Sequence, residues 1–505
     1  VNVPARSMLL TRGGRVTHSR PTQIAALAHS TVEGAAGFVA SLLPGGPNVP
    51  LRVVEDLLSA HPDGLDSLAL GPRRIVSAAM MVAHARHGRQ LEAVSLARRE
   101  SDRATPGQNA GLPASTLAHF WSAAAEAYAT AGLVRDGARA AQHALEYAQD
   151  TGDDALRYRA LGLMAANLAI SGEFARAEPI EAEAVLLERC HNWGSSRGSY
   201  MLRASQILLA SARMDVKALS SVAESLRLVT PSGPTFRGLI ALAEAAQAMI
   251  NGHAGDGVAA LTLVANSVDA VSMPPLMYHF LLSYQATLLI SRGEPQRALG
   301  LLDGRHSDPH HAVCFGLQRA SAYLQLGDNR AVLNATSGCL RVMSEHNLRT
   351  LAPVLLRRAI AYERLDLTAL ADAAFADAFQ LIRRSGAGAP LLTLPSGELQ
   401  TLLGRLRKER PELAREVDSL RVRMMTMPAT VPPTVATPLL TTRESVVAGY
   451  LRGDHTLTEI GRALHVSRNT VKSQVSSLYR KLGVTNRAEA LAELDRFGFF
   501  DYRGI

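Results

Sequence analysis

The chain has 505 residues, 47% of them hydrophobic and 19% charged, which supplies an ample core for two to four domains and excludes a generally disordered protein. A net charge of +8 and a pI near 9.6 are compatible with a polyanionic partner. Three cysteines, Cys190, Cys314 and Cys339, make no even framework and no CxxC, as expected of a reducing cytoplasm, and no run of 18 apolar residues marks a membrane span.

Residues 1–20 carry Arg6, Arg12, Arg15 and Arg20, with no acid before Glu33, and read as a disordered leader. A first residue of Val rather than Met fits either a GTG start codon or a fragment of a longer protein. Between 21 and 70, Ile24, Leu27, Val32, Phe38, Val39 and Leu42 predict a helix broken by "PGGPNVP" at 44–50, and a second helix follows, stopped by "HPDG" at 61–64.

Within a repeat domain assigned to 71–423, one phrase recurs from about 71 to 383: an Ala-rich helix, a Gly or its substitute, then a small residue five places on in a second helix. Gly88 with Ala93, Gly172 with Ala177 and Gly293 with Ala298 are the clearest, and Gly132 with Gly137 and Gly252 with Gly257 keep both positions small. Weaker members centre on Arg213 with Ala218, Gly327 with Ala331, and Leu365. Gly ends the first helix in a left-handed conformation, and the small residue lets the two helices approach closely. "ISRGEPQRALGLL" and "AISGEFARAE" resemble tetratricopeptide repeats, which implies about eight stacked hairpins forming a solenoid with a concave groove. Such grooves take peptides, partner proteins or small-molecule effectors.

Little chemistry is legible there. No Gly-Lys dipeptide exists, so a P-loop is absent from these residues, and no nucleophile–base arrangement stands out. The segment "HSDPHHAVC" holds His306, Asp308, His310, His311 and Cys314, ligand types suited to zinc, but no second ligand pair completes a recognised spacing. It reads as a solvated loop between repeats, and no metal, cofactor or catalytic residue is assigned.

After a charged helical segment at 397–423, the stretch 424–438, "MMTMPATVPPTVATP", has the Pro and Thr content of a semi-rigid tether. The unit that follows, 439–505, breaks into four short helices. Thr441 with Glu444, Thr456 with Glu459 and Asn486 with Glu489 have capping-box spacing, Ser467 caps the third helix, and Gly483 ends it. Only His465 and Val466 separate Leu464 from Ser467, so the second and third helices meet steeply, as in a helix-turn-helix. Val471, Val475, Leu478 and Leu482 form an apolar stripe on the third helix; Arg468, Asn469, Lys472, Ser473, Ser476 and Arg480 lie opposite. From 460 to 488 there are six basic residues and no acidic one, which suits a major groove.

These residues resemble the LuxR-type (FixJ/NarL-type) DNA-binding domain of bacterial regulators. The matching positions are "LTxRE" at 440–444, "EI" at 459–460, "SxNTVK" at 467–472, "YRKLGV" at 479–484 and "NRAEA" at 486–490. The resemblance implies that the third helix reads DNA, with Lys472, Ser473 and Ser476 facing bases. Backbone or supporting contacts fall to Ser467, Arg468, Asn469, Thr470, Gln474, Arg480 and Lys481. It also implies that the fourth helix pairs two subunits through Leu491 and Leu494. Gln474 stands where the family often has His, and Gly461 where Ala is usual. Repeats ahead of such a domain also resemble the C-terminal part of MalT-like regulators, without their ATPase.

The whole reading is an all-α chain: a tetratricopeptide-like solenoid followed by a four-helix LuxR-type helix-turn-helix. It describes a transcription regulator, not an enzyme, that binds double-stranded promoter DNA as a homodimer, contacts RNA polymerase, and senses an effector or partner protein at its repeats. Two alternatives remain at this point, a repeat scaffold whose head no longer binds DNA and a fragment of a larger ATP-dependent regulator.

Overall fold

The computed structural model describes residues 21–496 apart from 105–106, 195–199, 229–232, 268–272, 308–310, 388, 427–439 and 454, so the leader and most of the tether lie outside the described residues. Every regular element among the described residues is helical. Pro21–Ser41 and Leu51–Ser59 pack on the first hairpin, and the expected break at 61–64 is a 3-10 turn, Pro62–Ser67.

Eight hairpins follow, with first helices Leu70–Arg86, Ala114–Thr130, Asp154–Ser171, Tyr200–Arg213, Pro234–Ile250, Pro275–Ser291, Phe315–Gln325 and Leu348–Arg364. A ninth pair, Ser396–Glu409 and Ala414–Thr426, carries the chain three residues into the expected tether before the described residues stop. The recurring phrase has a common geometry. Gly88, Gly132, Gly172, Gly252, Gly293 and Gly327 all have φ between 75° and 89°. In the weaker members the left-handed residue is Met214 (φ 60°) or Asp366 (φ 59°), one place after Arg213 and Leu365. Five places after each left-handed residue comes a small or apolar one at the seam. Ala93, Ala177, Leu219, Ala298, Val332 and Ala371 are fully buried there, Val332 taking the place expected of Ala331. At Gly257 a Cβ would lie 2.8 Å from Leu288 Cδ1, which is why that seam has no side chain.

Small seam residues let the stack curl until its third hairpin meets its eighth. Arg349 donates from Nε to Ile170 O at 3.2 Å, Arg135 donates to Ser344 O at 2.7 Å, and the backbone of Arg349 sits where a Cβ on Gly172 would be. The groove expected of an open solenoid is therefore closed across by the 344–349 segment. One cluster of buried side chains runs from Ala35 to Ala387, a second covers the last hairpins from Ala320 to Val417, and the C-terminal unit has its own.

A buried charge cluster joins the first helices of hairpins one to four. Glu126, 2% exposed, accepts from Arg86 Nε at 2.6 Å, Arg159 Nη2 at 3.1 Å and Tyr200 Oη at 2.8 Å. Burial pushes the Glu126 carboxyl up, and Arg86 and Arg159 outweigh it, so it sits below its ordinary value.

Candidate nucleic-acid interface

The C-terminal unit consists of Thr442–Leu451, Leu457–Ala463, Arg468–Leu482 and Arg487–Arg496. Thr441 and Glu444 form a reciprocal capping box, with Thr441 N donating to Glu444 Oε2 at 2.7 Å and Glu444 N to Thr441 Oγ1 at 3.3 Å. Thr456 and Glu459 repeat it at the same distances. Ser467 Oγ accepts from Thr470 N at 3.1 Å, and Gly483 ends the third helix at φ 69°. The fourth cap is displaced by one residue on one side. Asn486 Oδ1 takes the Glu489 amide at 2.9 Å, but the Glu489 carboxylate returns to Thr485 N, not to Asn486.

The turn between the second and third helices holds His465 at φ 55°, and Val466 N closes onto Gly461 O at 2.9 Å. A Cβ on Gly461 would lie 2.8 Å from Val466 O, which gives the departure from Ala a local reason. Val447, Leu451, Ile460, Val471, Val475, Leu478 and Leu494 make the core, so the apolar stripe of the third helix faces inward. Ser467, Arg468, Asn469, Thr470, Lys472, Ser473, Ser476 and Arg480 are exposed and Gln474 is half-buried. This face offers two guanidinium groups, an ammonium, two amides and hydroxyls with no carboxylate among them, the donor set for phosphates and base edges.

Two expected site residues are placed differently. Lys481 Nζ lies 2.7 Å from Glu444 Oε2, 37 residues earlier, so its charge is paired within the unit. Leu494 is 2% exposed within the unit's own core, while Leu491 is half-buried against that core.

The residue types at 444, 477 and 487 carried more than their spacing revealed. Glu444 also accepts from Ser477 Oγ at 2.9 Å. Burial pushes its carboxyl up, but Lys481, the Thr441 amide and Ser477 prevail and hold it at about 2. Arg487 donates to Leu451 O at 3.0 and 2.9 Å and to His455 O at 3.0 Å, tying the fourth helix to the end of the first. Its place in "NRAEA" was the only sequence signal.

In the repeat body a cavity of about 230 Å³ lies inside the curled stack, with Phe174, Leu208, Tyr284 and Ile382 among its walls. Its polar wall includes Arg357, 6% exposed, which donates from Nε to Ser321 Oγ at 3.0 Å and from Nη2 to Thr393 Oγ1 at 2.7 Å. No carboxylate pairs with it among the described residues, and burial alone pushes it down to about 10. Gln318 Oε1 and both side-chain polar atoms of Gln325, on the same wall, are buried without a hydrogen-bond partner.

A capped helix-turn-helix with a cationic outer face, carried behind a helical-repeat body, defines a DNA-binding regulator. Residues 438–493 match the profile of the bacterial regulatory proteins, luxR family. The spore germination protein GerE of Bacillus subtilis (strain 168) is 44% identical over 61 residues, which is 12% of this chain and 82% of that protein. The chain belongs to the luxR family. The repeat body is similar in fold to a Rap protein whose crystal structure is a complex with competence and sporulation factor. That likeness has a TM-score of 0.51 and 10% identity, and it covers 72% of this chain and 99% of that one. No described helix is long and apolar enough to cross a membrane.

Proposed function

We propose that this luxR-family regulator reads promoter DNA in the major groove as a dimer, and that its repeat body holds an effector that governs the head. The observation that carries the reading is the exposed, acid-free face of Arg468–Leu482, on which Lys472, Ser473 and Ser476 stand side by side. Ser467, Arg468, Asn469, Thr470, Gln474 and Arg480 border that face and take the phosphates. With Leu494 in the core, the second subunit meets the exposed Ala488 and Ala492, one turn apart on the fourth helix beside Leu491.

Support for an effector comes from the cavity. A buried guanidinium without an acid, beside amide groups that lack partners, leaves polar capacity that a ligand with an acidic group satisfies. The Rap protein of similar fold, crystallised with competence and sporulation factor, supports the same use of the body.

The decisive experiment is selection of the bound sequence from random DNA, followed by binding of Lys472→Ala to the selected site and to random duplex. Loss of about 1–3 kcal/mol on the selected site, with little change on random DNA, is expected of a base-reading lysine. Equal losses on both would move Lys472 to the backbone contacts.

A further inference from the structure

The segment that closes the repeat body brings together four ligand-type side chains from two stretches of chain. His311 and Cys314 precede and cap Phe315–Gln325; Cys339 lies on Ser337–Arg341 and His346 just before Leu348–Arg364. The two sulfurs are 3.5 Å apart, and His311 Nδ1 lies 3.4 Å from Cys314 Sγ and 3.7 Å from Cys339 Sγ. One ligand atom from each of the four residues falls within 4.8 Å of all the others. Zinc held tetrahedrally at ordinary bond lengths needs about 3.8 Å between sulfurs and about 3.6 Å between sulfur and nitrogen. The sulfur pair and both His311–sulfur distances are close to those separations, and His346 falls within the same 4.8 Å cluster.

His346 supplies a second, independent observation. It is 2% exposed; its Nδ1 lies 3.1 Å from Asn347 O, which only accepts, so Nδ1 carries the proton and Nε2 a lone pair. That Nε2 is buried and without a hydrogen-bond partner. A backbone carbonyl that fixes one ring nitrogen so that the other is free to ligate is the usual support of a metal-binding histidine. The rest of the cluster is equally prepared. Cys314 and Cys339 are 1% and 2% exposed, Leu317 and Val354 pack against them, and Thr350 Oγ1 holds His311 O at 2.9 Å. At Gly316 a Cβ would sit 2.8 Å from Ala335 O, so the absence of a side chain lets the helix start approach the Cys339 segment closely.

We infer that His311, Cys314, Cys339 and His346 form a structural zinc site that pins the closing segment of the repeat body. Binding releases one proton from each thiol to solvent, and a divalent cation with two thiolates and two neutral imidazoles leaves a site of zero net charge. All four positions are filled by protein, as in a structural rather than a catalytic site. The site goes beyond the DNA-reading proposal and stands or falls without it. His306 of the "HSDPHHAVC" segment is exposed and takes no part, and His311 and Cys314 are packed into the body instead of lying on a solvated loop.

The test uses the full, untagged chain purified under argon with a non-thiol reductant. About one zinc per chain is expected by elemental analysis. Replacement by cobalt(II) should give the intense d–d bands and thiolate charge-transfer absorption of a tetrahedral sulfur–nitrogen site. Cys339→Ser and His346→Ala are expected to lose these bands, while Cys190→Ser, at an exposed cysteine, keeps them. Because ligand variants can misfold, the unaltered chain is also alkylated with and without prior chelation, and chelation should expose Cys314 and Cys339 to the reagent. A helical, folded chain that gives no tetrahedral cobalt spectrum would overturn the site, as would a Cys314–Cys339 disulfide persisting under reductant or unchanged cobalt bands in Cys339→Ser.

Discussion

Glu126→Ala is expected to destabilise the repeat body by about 3–5 kcal/mol, seen as a lower midpoint for its unfolding transition in urea. Among the described residues the carboxylate is the only acid paired with Arg159, which is 5% exposed, and it also pairs with Arg86. Removing it leaves Arg159 uncompensated in a low-dielectric interior and the half-buried Arg86 without its acid, and Arg159 already sits at about 10 because burial opposes its charge. Tyr200, whose hydroxyl burial pushes well above its ordinary value, would lose its acceptor as well. Glu126→Gln separates charge from packing: it keeps the volume and an acceptor but not the charge, so it should cost nearly as much as alanine. A Gln variant as stable as the parent would refute the charge argument. The pH dependence has a definite sign. The folded carboxyl lies below its unfolded value, so its stabilisation is complete above about pH 4.5 and is lost as pH falls further.

What was legible beforehand was local. Cap spacings of three residues and a left-handed Gly are decided within one turn of helix, and the boundaries of the head follow from Thr441, Thr456, Ser467 and Gly483. The hairpin phrase was legible for the same reason. Where Gly is replaced, the pattern slips by one residue, because Met214 and Asp366 adopt the left-handed conformation without announcing it. Long-range arrangements were not legible. The Lys481–Glu444 pair spans 37 residues, the sulfur pair 25, and the contact of Arg349 with Ile170 spans 179. The Arg349 contact is set by how far the hairpin stack curls, which depends on the summed geometry of every seam rather than on any one motif, whereas the Lys481–Glu444 pair needs the first and third helices of the head to pack. Lys481 and Leu494 show what a pattern leaves out: both match it, and both also have contacts within the unit that the pattern does not reveal.

Glu444 is the side chain on which the head most depends, and Glu444→Ala is expected to destabilise it by about 2–3 kcal/mol. The loss combines a helix cap, ordinarily about 1 kcal/mol, with charge-assisted bonds from Lys481 and Ser477. In a unit of four short helices that is a large fraction of the total stability, so amide protection along Arg468–Leu482 in the full chain should fall about 30- to 150-fold by hydrogen exchange. Glu444→Gln retains the cap but not the ion pair and should fall between the two. The carboxyl is held at about 2, below its unfolded value, so its contribution is present above about pH 4.5 and disappears as pH falls from there toward 2. Lys481→Ala removes the same ion pair from the other side. Its effect on DNA binding should therefore follow the loss of head stability, and vanish when binding is measured at a temperature where the variant head is fully folded. A persistent loss under those conditions, with a shallower salt dependence, would return Lys481 to the phosphate contacts.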